Sequence, residues 1–164
     1  MIVVSDTTPL ISLLKIKHLE LLEKLYNTVI IPRAVFSELT SNKKFQAEAE
    51  IISGARFIEC KEISDTTALN ILKRVTLLDL GESEAIILAQ ELKADVLLMD
   101  ESKGRKVAKK LEIPLSGTLG ILIDSFDAGL LTSDEVKKCL EGLERAGRRI
   151  SGELINSVRS YIVQ

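Results

Sequence analysis

The chain has 164 residues, with 22 Lys and Arg against 24 Asp and Glu and a formal net charge of −2. That length suits a single domain over residues 1–164 that buries its own core, and the charge balance excludes any global attraction to nucleic acid, so a phosphate-binding surface has to be a local patch. Aromatic residues make up only 4% with no Trp, which points to an aliphatic core and away from base-stacking platforms.

The longest apolar stretch, residues 115–131, carries Asp124 and Asp127, so no segment reads as a membrane span. Cys60 and Cys139 lie far apart without metal-ligand spacing, and no signal-peptide pattern opens the chain. Both are expected to be reduced, buried thiols of a cytoplasmic protein.

Strand and helix patterns alternate from the start. Ile2, Val3 and Val4 form an apolar run that stops at Ser5, Asp6, Thr7, Thr8 and Pro9, and a helical pattern resumes over residues 10–14. The helical region 15–25 holds His18, the only histidine. Residues 28–31 are a β-branched run ended by Pro32, which suits the first position of a helix; that helix, over residues 33–39, carries Glu38. Helical residues continue over 42–53 until Gly54, and residues 56–60 read as a short strand. A helix over 66–72 precedes a strong one over 81–92, with Ala85, Leu88, Ala89 and Leu92 on one face. The strand 96–99 leads into Asp100 and Glu101, then a basic helix over 102–111, a brief strand at 113–115 and a helix over 117–126. This βαβα order predicts an α/β fold, a central parallel sheet with helices on both faces, over residues 1–130.

Residues 131–164 read as a helical tail. Thr132 and Glu135 fit a capping box that opens a helix through Leu143. A basic loop over 146–150 follows, then an amphipathic helix with Leu154, Ile155, Val158 and Ile162 on one face. That stripe either completes the core or packs across a homodimer interface.

Four acids stand where strand-like runs end or helix-like runs begin: Asp6, Glu38, Glu84 and Asp100. In open α/β sheets, ligands bind outside the carboxyl ends of the strands. Gathered carboxylates repel and raise one another's pKa, and a bound divalent cation reverses that balance. Hard ions such as Mg²⁺ and Mn²⁺ choose oxygen ligands and leave positions open for phosphate oxygens. No Ser-His-Asp or Cys-His arrangement competes.

The segments that hold these acids, VVSDTTPLISL, IPRAVFSEL, LDLGESEAIILA and ADVLLMDESKGRKVAKKL, together resemble PIN-domain proteins over roughly residues 1–130. The likeness is to a subgroup with a Gly-Glu-X-Glu-Ala motif and a Pro-X-X-Gly-Thr-Leu-Gly segment, here residues 81–85 and 114–120. The resemblance implies a three-layer α/β/α sandwich and a Mg²⁺- or Mn²⁺-dependent endoribonuclease. It further implies the toxin of a toxin–antitoxin pair, as in VapC-like toxins, with an antitoxin protein and a second copy of the chain as partners. It makes Asp6, Glu38, Glu84 and Asp100 the catalytic metal ligands. Most of the family carries Asp in the third place, and Glu84 is a methylene longer. Glu82 and Glu101 are the alternatives. Residues i and i+2 of a helix point about 200° apart, so Glu82 and Glu84 cannot both face one site.

Around the acids, Ser5, Thr7 and Thr8, with Ser116 and Thr118 farther along, are placed either to orient carboxylates by hydrogen bonds or to cap helices. Lys103, Lys106 and Lys110 share a helix face, with Arg105 and Lys109 beside them. These residues, and the cluster Arg145, Arg148 and Arg149, read either as solvated surface or as tracks for a phosphate backbone. A non-cutting PIN-like module that binds RNA or a protein is the alternative function. A phosphoacceptor receiver does not fit, because no paired acids with a basic partner assemble.

Overall fold

The computed structural model describes residues 1–41 and 43–163. Five strands, β1 (Val3–Ser5), β2 (Val29–Pro32), β3 (Ile58–Lys61), β4 (Val96–Leu98) and β5 (Leu115–Ser116), form one sheet in the order β3-β2-β1-β4-β5. Every pairing is parallel. Side chains alternate between faces along a strand, and here both faces are buried. Val3, Val29, Ile31 and Leu98 enter one apolar cluster; Val4, Ile30, Leu97 and Met99 enter the other.

Helices cover both sides, which gives the expected three layers. On the first face lie α1 (Thr7–Lys15), α2 (Glu20–Tyr26), α8 (Thr118–Asp127), α9 (Ser133–Arg145) and α10 (Gly152–Tyr161). Leu10, Leu22, Ile121, Leu140 and Val158 are among the residues they contribute to that cluster. The second face is closed by α6 (Leu80–Glu91) and α7 (Ser102–Lys110), through Ala85, Ile86, Leu88, Ala89 and Ala108. Beyond β2, α3 (Arg33–Ser41) and α4 (Gln46–Gly54) pack together, and α5 (Thr66–Val75) lies outside α6 with none of its residues buried. Among the described residues no helix is long and apolar enough to cross a membrane.

Local chemistry explains the departures from the sequence pattern. Pro32 ends β2, in register with Lys61, and the helix starts at Arg33. The 15–25 region is broken by Lys17 at φ 59, which separates α1 from α2. Of the helix expected over 42–53, Asn42 lies outside the described residues; Lys43–Phe45 is a short 3-10 turn and α4 follows. Cys139 is buried as expected, but Cys60 is exposed because β3 is an edge strand whose last three residues face solvent.

The tail largely covers its own stripe. Ile155, Val158 and Ile162 are buried in the first cluster, while Leu154 stays 53% exposed. A carboxylate placed there has no partner, so Val158→Asp is expected to lower stability by about 3 kcal/mol or more. A shifted urea midpoint with unchanged molar mass by light scattering is the expected result. An unchanged midpoint with a halved mass would place Val158 at a subunit contact instead.

Candidate functional site

The parallel sheet brings all strand carboxyl ends to one edge, and the chain changes direction between β1 and β4. From β1 it proceeds outward through β2 and β3, then crosses back to β4 and β5 on the other side. That switch point is where crevices open in such sheets. Asp6 directly follows β1, and Asp100 lies two positions past the end of β4. The Asp6 N–H donates to the Leu98 carbonyl at 2.9 Å, extending the β1–β4 ladder into the site.

Asp6 is the floor of the site, only 3% exposed. It occupies the N-cap position of α1, yet its side chain makes no capping hydrogen bond, so helix capping does not account for its burial. Burial pushes its carboxyl up from 3.8 to about 7; the Thr7 backbone N–H offsets part of this, and the charges of Glu82, Asp79 and Glu38 add to it. Glu38 reaches in from α3, fixed by the Thr7 hydroxyl, which donates to its Oε2 at 2.8 Å. Gly81 makes that approach possible. It lies buried within the first turn of α6, and a Cβ there would stand 3.2 Å from Glu38 Oε2.

Glu82 and Asp79 hold each other at the start of α6. The Glu82 N–H donates to Asp79 Oδ1 at 2.8 Å, and the Asp79 N–H donates to Glu82 Oε2 at 3.0 Å. This capping box supplies two of the orphan bonds of a helix N-terminus and fixes the Glu82 carboxylate, whose charge acts on Asp6. Burial raises the Glu82 pKa, with the charges of Asp79, Glu101 and Glu38 acting in the same direction. Asp79 was not among the sequence candidates, although Asp followed three residues later by Glu is the same kind of signal read at Thr132 and Glu135.

Glu84 is committed elsewhere. Its Oε2 accepts the Ala34 N–H at 2.9 Å, so it satisfies an orphan donor in the first turn of α3. Asp100 is half-buried and doubly held by Thr118, whose N–H and hydroxyl donate to it at 2.7 and 2.6 Å. Gly117 leaves the room for that carboxylate, and Arg105 is drawn inward, donating from Nη1 to the carbonyls of Met99 and Ser116 at 2.7 and 3.1 Å. Arg105 therefore ties β4 to β5 and is not part of a surface track, whereas Lys103, Lys106, Lys109 and Lys110 are exposed. Ser5 donates to the Asp6 carbonyl, not to its carboxylate.

Asp6, Glu38, Asp79, Glu82 and Glu101 thus form one electrostatic group, with Asp100 on the neighbouring strand end. Among the described residues none of them is in an ion pair, and no three acidic, His or Cys side chains are arranged to ligate one ion. Uncompensated carboxylates hold one another apart. An all-oxygen set of this kind fits a hard divalent cation, since Mg²⁺ binds through one or two carboxylates and retains water.

A family model described as a PIN domain matches residues 2–163 of the chain. No curated protein matches it.

The raised Asp6 pKa makes metal-free stability depend on pH. Below 3.8 the carboxyl is protonated in both folded and unfolded chains and costs nothing; between 3.8 and about 7 only the unfolded chain ionises, so stability falls as pH rises. Above that window the full cost is present, at most about 4 kcal/mol. In EDTA, Asp6→Asn is expected to match the wild type near pH 4 and to exceed its stability increasingly toward pH 8. An Asn variant less stable than the wild type throughout would make Asp6 a structural residue.

Proposed function

The chain belongs to the PIN-domain family, whose members are generally nucleases, and on that premise we propose that it is a Mg²⁺- or Mn²⁺-dependent endoribonuclease hydrolysing RNA phosphodiester bonds. The observation that carries this reading is Asp6, a buried carboxyl at the switch point, raised to about 7 among other acids that have no ion-pair partner among the described residues. Asp6, Glu38 and Asp100 are proposed to hold the metal. We assign the third place to Glu82 rather than to Glu84, because the charge of Glu82 acts on Asp6 while Glu84 accepts the Ala34 N–H.

When bound, the cation neutralises charge at the scissile phosphate and promotes attack by water. The chain's own part is positional. Thr7 sets Glu38, Thr118 sets Asp100 and the Asp79 box sets Glu82, so the carboxylates are oriented before substrate arrives. The reading extends, on resemblance, to a cytoplasmic toxin controlled by an antitoxin protein. It includes a homodimer, for which the exposed Leu154, Tyr161 and Val163 of the tail offer apolar surface.

A second reading is a module that binds RNA or protein without cutting, favoured by the lack of a three-ligand arrangement among the described residues. Two substitutions separate the possibilities. Glu82→Gln preserves the capping box and is expected to slow Mg²⁺-dependent cleavage of single-stranded RNA on the order of 100-fold, with the metal-free Tm equal or higher. Glu84→Ala, which removes the acceptor of the Ala34 N–H, is expected to cost about 1 kcal/mol of stability with cleavage within a few-fold of wild type. The reverse pattern assigns the third place to Glu84. A wild type that binds RNA but leaves it intact with either metal supports the second reading.

A further inference from the structure

A groove of about 540 Å³ is lined by Asp100, Glu101 and Thr118 together with Arg148 and Arg149, from the loop between α9 and α10. The arginines are held by backbone geometry. Gly147 adopts φ 77 after α9; its N–H donates to the Glu144 carbonyl, and the Arg148 N–H donates to the Leu143 carbonyl, each at 3.0 Å. Those two bonds make a Schellman motif, which fixes the direction in which the chain leaves a helix.

The guanidiniums are not used within the fold. Among the described residues neither Arg148 nor Arg149 is in an ion pair, although two carboxylates line the same groove. Among the described residues Arg148 Nε is buried without a hydrogen-bond partner, so no group of the fold compensates its desolvation. Arginine's planar fork suits phosphate oxygens. Ile150 and Leu154 give the groove an apolar surface for a ribose or base, and its lining contains no aromatic ring to stack one.

We propose that the Arg148–Arg149 loop is a substrate-positioning element that grips two successive phosphates of single-stranded RNA and feeds the strand past Asp100 into the acidic site. The proposal takes its choice of RNA from the ribonuclease reading; the groove and its unpaired arginines stand independently of it. Contacts of this kind position a backbone without reading sequence, so binding here is sequence-tolerant and salt-dependent.

The test is fluorescence anisotropy of a fluorescein-labelled single-stranded oligoribonucleotide with the full chain carrying Asp6→Asn, between 50 and 200 mM salt. Arg148→Ala/Arg149→Ala is expected to weaken binding about 10-fold at the low-salt end and to reduce the slope of log K against log salt by about 1.4, as for two phosphates on a single strand. Arg149→Ala alone, at an exposed side chain that puts folding at no risk, is expected to give about half that change. Lys73→Ala/Arg74→Ala, an equally charged exposed pair on α5, is expected to change neither. In the Asp6-containing chain the loop variants should raise KM for RNA and leave kcat nearly unchanged. An unchanged slope, or an equal loss in the α5 control, overturns the proposal while wild-type cleavage leaves the ribonuclease reading intact. A wild-type chain that neither binds nor cuts RNA overturns both.

Discussion

The pairing of β1 with β4 is the constraint on which the acidic site depends. Its ladder runs through Val3, Val4 and Ser5 opposite Val96, Leu97 and Leu98, and the Asp6 N–H continues it to the Leu98 carbonyl. Because the pairing is parallel, residues separated by more than ninety positions in sequence leave the sheet at one edge. A parallel ladder needs a crossover and two covered faces. The chain meets that need with apolar clusters on both sides, and one-residue slippage of either strand would turn its buried faces over. Register is therefore strongly determined, and with it the place of the acids.

Into this rigid edge the fold sets groups that oppose its stability. Asp6 is buried without a capping bond, and Glu38 and Glu82 are brought toward it by contacts that would serve equally well in an ordinary helix start. The Asp79–Glu82 box stabilises α6 and also prevents Glu82 from turning away from its like-charged neighbours. Gly81 acts by what it lacks, since any side chain would press on Glu38. Local helix chemistry thus maintains an electrostatically unfavourable arrangement, as expected where strain is kept for binding.

Much of the layered fold was legible because its signals are local. β-branched runs, the Thr132–Glu135 box and the apolar face of α6 depend on neighbours in sequence, and Asp6 and Asp100 could be placed at strand ends from the same runs. The different surroundings of Glu82 and Glu84 were not legible in this way. They are two residues apart on one helix, and only the packing of α6 against α3 decides that the second accepts the Ala34 N–H while the charge of the first acts on Asp6. The tail illustrates a similar limit: an amphipathic stripe shows that a face is covered but not by what, and here the first core cluster takes three of its four residues. The groove beside Arg148 was beyond periodicity altogether, because it forms between segments that meet only in the folded chain.

The central claim is that the fold raises the Asp6 pKa and that the proposed divalent cation would lower it. Carbon-13 NMR titration of the Asp6 carboxyl, without metal and with saturating Mg²⁺, measures this directly. A midpoint near 7 without metal, moving well below 5 when Mg²⁺ is added, is the predicted result, since an adjacent cation favours the charged carboxylate. A midpoint near the ordinary 3.8 in both conditions would contradict it.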